Sequence, residues 1–181
     1  MLLRNGPFVP NLIGGTRVPL DLNSLDWRIV NDDVMGGRSS SQFEVGNDGL
    51  VFHGELSTEN RGGFVSVLGR LEEPLINLAG FKLGTSGDGR RYQLRLRETD
   101  SSRDAAWRAF FNCHERQSLA AIGIDEFHPV MRGQPAIGAK PLEITPVRYL
   151  GFMLTSRRPG PFELRIHALE VMRLDSASDA P

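Results

Sequence analysis

Apolar and polar residues alternate with a period of two along most of the chain, in short runs separated by glycine, proline, asparagine and aspartate. That period places successive side chains on opposite faces of a strand, so the pattern predicts an all-β chain with one buried face per strand. In RRYQLRLRE, Tyr92, Leu94 and Leu96 fall on one face, and Arg91, Gln93, Arg95 and Arg97 on the other. In PFELRIHALEV, Phe162, Leu164 and Ile166 alternate with Glu163, Arg165 and His167 until the phase slips at Ala168 and Leu169, which predicts a bulge. Further strands are expected over 25–31, 50–56, 63–71, 80–83, 106–112, 117–124 and 149–155, giving about nine or ten in all.

VGNDGL and DSSRDA carry residues that tolerate positive φ or bond their own backbone, so neighbouring strands are expected to run antiparallel. Helical spacing is weak throughout, although SSRDAAWRAF offers a turn or two. The sum is an all-β sandwich. Residues 126–146 hold four prolines and two glycines, which predicts a long ordered loop, either a crossover between sheets or a functional loop. The expected organisation is an N-terminal extension over 1–24, a sandwich domain over 25–173 and a flexible tail over 174–181.

With 181 residues and 40% hydrophobic content, the chain can build one real core. A formal net charge of −1 supplies no long-range attraction for nucleic acid or an anionic membrane. Cys113 is the sole cysteine, so no intrachain disulfide can form, and a reducing compartment suits the chain. The start shows no signal h-region and no segment approaches a membrane span, from which a cytoplasmic protein without membrane insertion is expected.

The densest polar cluster is NDDVMGGRSSSQF, residues 31–43. It lacks the lysine and spacing of a phosphate loop and the G-x-S-x-G frame of a nucleophile elbow. Asp32 and Asp33 with the serine hydroxyls offer oxygens to Ca²⁺ but not the six to eight ligands it takes, so the plainer reading is a turn whose Asn31 and Asp32 side chains bond the backbone. TSGDGRRY leads into a strand rather than a helix, so it reads as a hairpin turn and not as a dinucleotide fingerprint. His53, His114, His128 and His167 show no zinc spacing, and Cys113 and His114 point to opposite faces and cannot pair. The Arg91, Arg95 and Arg97 stripe is either a solvated strand face or a surface for an anionic ligand or partner. No nucleophile, base and acid set emerges, and no cofactor or metal is expected.

WRIVNDDVMGGRSSSQF, FHGELSTENRGGFVSV, GDGRRYQLRLR, FHPVMRG and GPFELRIHALEV resemble, in that order, the complex I intermediate-associated protein 30 family from about Trp27 to Val171. The resemblance implies a galactose-binding-domain-like jelly-roll sandwich, a chaperone-like role in assembling respiratory complex I, and no established catalytic residues. With no transit peptide and no room for a second domain, the chain looks like a bare bacterial form. The resemblance picks out Asn31, Asp32, Val34, Met35, Gly36, Gly37 and Ser39, and Gly62, Gly63 and Phe64. The first cluster is expected to be a built turn presenting a surface, with Asp32 and Arg38 bracing it by a charge-assisted bond and Asp33 contributing charge.

The expected function is therefore non-catalytic protein binding, the client being a complex I subunit or assembly intermediate. A carbohydrate-binding module is the alternative, since Trp27, Trp107, Tyr92, Asp88 and the arginine stripe beginning at Arg91 supply side chains suited to sugars if the aromatics are exposed.

Overall fold

The computed structural model describes residues 15–174. Within them the alternating runs become β1 (Gly15–Pro19), β2 (Asp26–Ile29), β3 (Ser40–Gly46), β4 (Gly49–Leu56), β5 (Phe64–Leu75), β6 (Leu78–Gly87), β7 (Arg91–Arg97), β8 (Ala106–Asn112), β9 (Ser118–Gly123), β10 (His128–Met131), β11 (Gln134–Pro135), β12 (Val147–Thr155) and β13 (Gly160–Leu174). Short 3-10 turns are the only helical elements among the described residues.

The strands form two antiparallel sheets. One has the order β3-β4-β13-β6-β9, with β1 also paired to β13; the other has the order β11-β10-β8-β7-β12-β5-β2. The inward faces meet in one core. Phe52, Phe81, Leu83, Leu164 and Ile166 come from the first sheet, and Tyr92, Leu94, Leu96, Phe152 and Leu154 from the second, all essentially without solvent contact. Fully burying each such side chain contributes about 1.5–3 kcal/mol. Tyr92, Leu94 and Leu96 point inward together, as their alternation predicts. The pairing of β13 with β6 shifts register between Ile166 and Ala168, where the phase slip placed a bulge.

Several expectations change. Residues 126–146 are not loop throughout. Val130 and His128 pair with Ala106 and Arg108, and β10 turns back on β11, because Pro129 needs no ladder donor where its own carbonyl accepts from the Ala136 N–H at 3.0 Å. SSRDAAWRAF is not helical but a turn leading into β8, whose Trp107, Ala109 and Phe111 are core. The TSGDGRRY turn joins β6 to β7, which lie in different sheets, so it is a corner of the sandwich rather than a hairpin. Strand β3 continues the polar cluster, with Ser41, Phe43 and Val45 facing in and Gln42 and Glu44 facing out. Finally, β1 lies inside the stretch assigned to an extension. It pairs with β13 from Gly15↔Leu174 to Pro19↔Glu170, so the sandwich takes in these residues as well.

Candidate binding cleft

The dense cluster is organised around a carboxylate that faces inward. Asp32, in the 3-10 turn Asp32–Met35, is 1% exposed. Its Oδ1 accepts from the Ser39 N–H at 3.0 Å, and its Oδ2 accepts from the Ser39 hydroxyl at 2.6 Å, the Gly63 N–H at 2.7 Å and the Phe64 N–H at 3.3 Å. Burial by itself raises the carboxyl pKa; the bonds from the Ser39 hydroxyl and from the N–H groups of Gly63, Ser39 and Phe64 outweigh it and hold the group below its ordinary value. A shell of N–H and O–H donors satisfies an anion, and it is the opposite of the oxygen cage that Ca²⁺ needs.

The glycines of the motif follow from this. A Cβ on Gly37 would lie 2.3 Å from Asp32 Oδ1, and one on Gly62 would lie 2.6 Å from Oδ2. Gly36 closes the turn at φ +84°. Asn31 accepts from the Ser41 hydroxyl at 2.8 Å instead of capping the turn, and Asn60 Nδ2 donates to the Gly36 carbonyl at 3.2 Å. Arg38 does not reach Asp32 as expected. It pairs with Glu59 at 3.0 Å, both largely exposed, a contact worth little in water. Asp33, Gly36 and Arg38 remain at the surface, and the side chains of Val34 and Met35 lie outside the described residues. The motif thus ties the end of β2 to the start of β5.

Asp88 does the same at the β6–β7 corner. Its Oδ2 accepts from the Tyr92 hydroxyl at 2.8 Å and the Glu163 N–H at 3.1 Å, and its Oδ1 accepts from the Arg90 N–H at 2.9 Å. Burial first, and then the Asp88 charge, push the Tyr92 hydroxyl pKa far up. The same two causes lift the buried Cys113 thiol to about 11. Arg91 stands apart from this corner, exposed on the outer face of β7 with its guanidinium 4.0 Å from the Phe110 ring centroid.

The outer face of the seven-stranded sheet carries a cleft of about 920 Å³. Arg95 and Arg97 of β7 lie in its floor with Gln93. Arg108 stands directly opposite Arg95 on β8, and Gly151 of β12 opposite Arg95 on the other side. Phe64, Ser66, Leu68, Val30 and Arg28 of the β5 and β2 region form the wall that the Asp32 knot anchors, and Asp100, Asp104 and Arg132 complete the lining, with Asp100 reached by Arg28 at 3.0 Å. Gln93 is 2% exposed and bridges the floor, donating to the Thr155 hydroxyl at 2.8 Å and accepting from Arg95 Nη1 at 3.1 Å. Burial, then the charges of Arg97 and Arg108, bring Arg95 down to about 10. Burial chiefly lowers Arg97 too, and its Nε is buried without a hydrogen-bond partner while its Nη2 donates to the Ser101 carbonyl.

Among the predicted site residues the structure brings Phe64 to the cleft. It turns Asp32, Gly37, Ser39, Gly62 and Gly63 into its foundation, and leaves Asp88 at a separate corner. Reading the sequence missed Arg28, Ser66, Arg108, Arg132 and Met153. Alternation on β5, β8 and β12 marks the outward positions among them, but not that these strands adjoin. Trp107 and Tyr92 are buried, and Trp27 stacks near Phe152 with its indole N–H donated to the Leu22 carbonyl, so none of the three offers an open aromatic platform.

The fold is a jelly-roll-type β-sandwich like that of several solved carbohydrate-binding modules. The family 11 module of the Clostridium thermocellum cellulase Lic26A-Cel5E is 14% identical, with 91% of this chain and 98% of that one covered at a TM-score of 0.62. The Clostridium thermocellum family 11 module solved with a β-1,3-1,4-mixed-linked tetrasaccharide is 13% identical over 90% and 99%, at a TM-score of 0.58. At such identity the likeness defines the fold alone. The pattern of the complex I intermediate-associated protein 30 family matches residues 19–166, and the chain belongs to that family. An uncharacterized protein of Schizosaccharomyces pombe is 25% identical over 178 residues, 85% of this chain and 81% of its own length.

Proposed function

We propose that the chain is a non-catalytic, chaperone-like recognition module that holds a protein client in the cleft of the seven-stranded sheet, the client being an intermediate of respiratory complex I assembly. The observation that carries this reading is the cleft. It is large enough for a stretch of chain, it is floored by hydrogen-bonding and charged groups, no histidine or cysteine lines it, and its two carboxylates are engaged, Asp100 by Arg28 and Asp104 by the Thr99 hydroxyl. Family membership supplies the setting. The Asn31–Ser39 turn, first in line as the recognition surface on sequence grounds, supports the cleft wall from behind.

The test is genetic and biochemical. A host lacking the protein is expected to accumulate partly assembled complex I on native gels. The parent restores assembly, an Arg95→Gln, Arg108→Gln variant does not, and Arg165→Gln on the other sheet does. Normal assembly without the protein contradicts the client assignment. The sandwich type favours a second reading, a glycan ligand, since one solved module of like fold holds a tetrasaccharide. Sugar rings bind on exposed aromatics, and the buried Trp107 and Tyr92 remove that support. Titration with the mixed-linked tetrasaccharide at millimolar concentration is expected to give no heat, and saturable binding would restore the glycan reading.

A further inference from the structure

We infer that Arg95, Arg97 and Arg108 form a carboxylate-binding floor for an extended acidic segment of a protein, a specificity that rests on the reading of the cleft as a client site. The first support is electrostatic. Arg95 and Arg108 are directly opposed on β7 and β8, with Arg97 two residues along, and like charges so placed destabilise a sheet. They are relieved only in part: the charges of Asp100 and Asp104 act on Arg97 from a distance, Arg95 donates to neutral Gln93 and Arg108 lies over the Phe110 ring, but no carboxylate among the described residues pairs with any of the three. Asp100 is taken by Arg28 at 3.0 Å, Asp104 accepts from the Thr99 hydroxyl at 2.6 Å, and none of the ion pairs includes Arg95, Arg97 or Arg108. The Nε of Arg97 is buried and unpartnered. A carboxylate entering this floor supplies the direct ion pair that none of the three has in the free protein.

The second support is shape. From Arg108 on β8 to Arg28 on β2 there are four interstrand steps, roughly 19 Å at the usual strand spacing, which matches about six residues of extended chain. A lone phosphate would fill only a corner of that length. The third is chemistry. Planar guanidinium groups match carboxylates with two parallel hydrogen bonds. The remaining wall, Val30, Leu68 and Met153 with Phe64, is mainly aliphatic and suits peptide side chains better than sugar faces.

The experiment uses the full chain and a fluorescent hexaglutamate peptide, read by anisotropy, with hexaglutamine, an oligogalacturonate of equal charge and inorganic phosphate as comparison ligands. Hexaglutamate is expected to bind and hexaglutamine not to. Arg108→Gln and Arg95→Gln should each weaken binding about ten-fold, rising salt should weaken it further, and Arg165→Gln on the opposite sheet should leave it unchanged. Arg108 is only half-buried, so its variant keeps the test valid even if Arg95→Gln folds poorly, and thermal melts report which case holds. Hexaglutamate that fails to bind, or binds equally to both cleft variants, overturns the inference. So does binding of galacturonate or phosphate with the peptide silent. These outcomes leave complex I assembly untouched as a readout, so failure here is separable from failure of the client assignment.

Discussion

Replacing Asp32 by alanine removes the acceptor for the Ser39 hydroxyl and for three backbone N–H groups, those of Ser39, Gly63 and Phe64. An orphaned buried donor costs about 1–3 kcal/mol, and water can reach part of the vacated space at the half-buried Gly63 and Phe64, so the expected loss is about 3–4 kcal/mol. For a chain of this size that lowers Tm by about 6–16 °C. Gly37→Ala tests the geometry itself. The three atoms nearest its new Cβ all belong to Asp32, at 2.3, 2.4 and 2.8 Å, so it must push the carboxylate off its donors. In the parent this should cost about 2–3 kcal/mol. In an Asp32→Ala background the carboxylate is gone, so the same change should cost roughly 1–2 kcal/mol less. Urea unfolding of the four proteins of this cycle gives the coupling. If the two changes add within about 0.5 kcal/mol, or Asp32→Ala is harmless, the carboxylate is not what the glycines make room for.

Because the native Asp32 pKa lies below the unfolded value, the unfolded chain binds more protons, and the stability this group contributes is complete above about pH 4–5 and declines as pH falls through the native value. The stability gap between parent and Asp32→Asn should therefore narrow from pH 5 toward pH 2, and a constant gap in urea melts would contradict the depressed pKa. Tyr92→Phe deletes the donor at 2.8 Å to Asp88 in a buried setting, so a loss of about 1–2 kcal/mol by urea unfolding is expected, against no loss if the bond is idle. Cys113, 1% exposed and lifted to about 11, should resist iodoacetamide at pH 8 in the native protein and react once urea unfolds it, and rapid native labelling would show the corner open.

The stretches that alternate cleanly, β7 and β13 as far as Ile166, were legible because a period of two leaves little choice of face once one face is apolar. The burial of Tyr92 was legible on the same ground, since it keeps phase with Leu94 and Leu96. Strand β10 was hidden by Pro129 and its proline-rich surroundings, and β1 by its length of five residues. The glycine motif was visible as a motif, but a serine and two backbone donors from residues 63 and 64 converge on Asp32 only after β2 and β5 pair, so its inward role could not be read locally. The cleft was half visible, as a stripe of arginines. Met153 and Ser66 join that stripe through pairings of β12 with β7 and β5, and Arg28 through the pairing of β2 with β5, more than fifty residues apart in sequence for Met153 and Gln93, which no local pattern encodes.

The central claim, that the arginine-floored cleft holds a complex I client, is tested most directly by site-specific photocrosslinking in host extract. A photoreactive residue at Ser102, exposed on the cleft rim, is compared with one at Glu55 on the outer face of the other sheet. The account predicts crosslinks to complex I subunits from position 102, through acidic segments, and none from position 55. Equal recovery from both positions, or complex I subunits from neither, would contradict it.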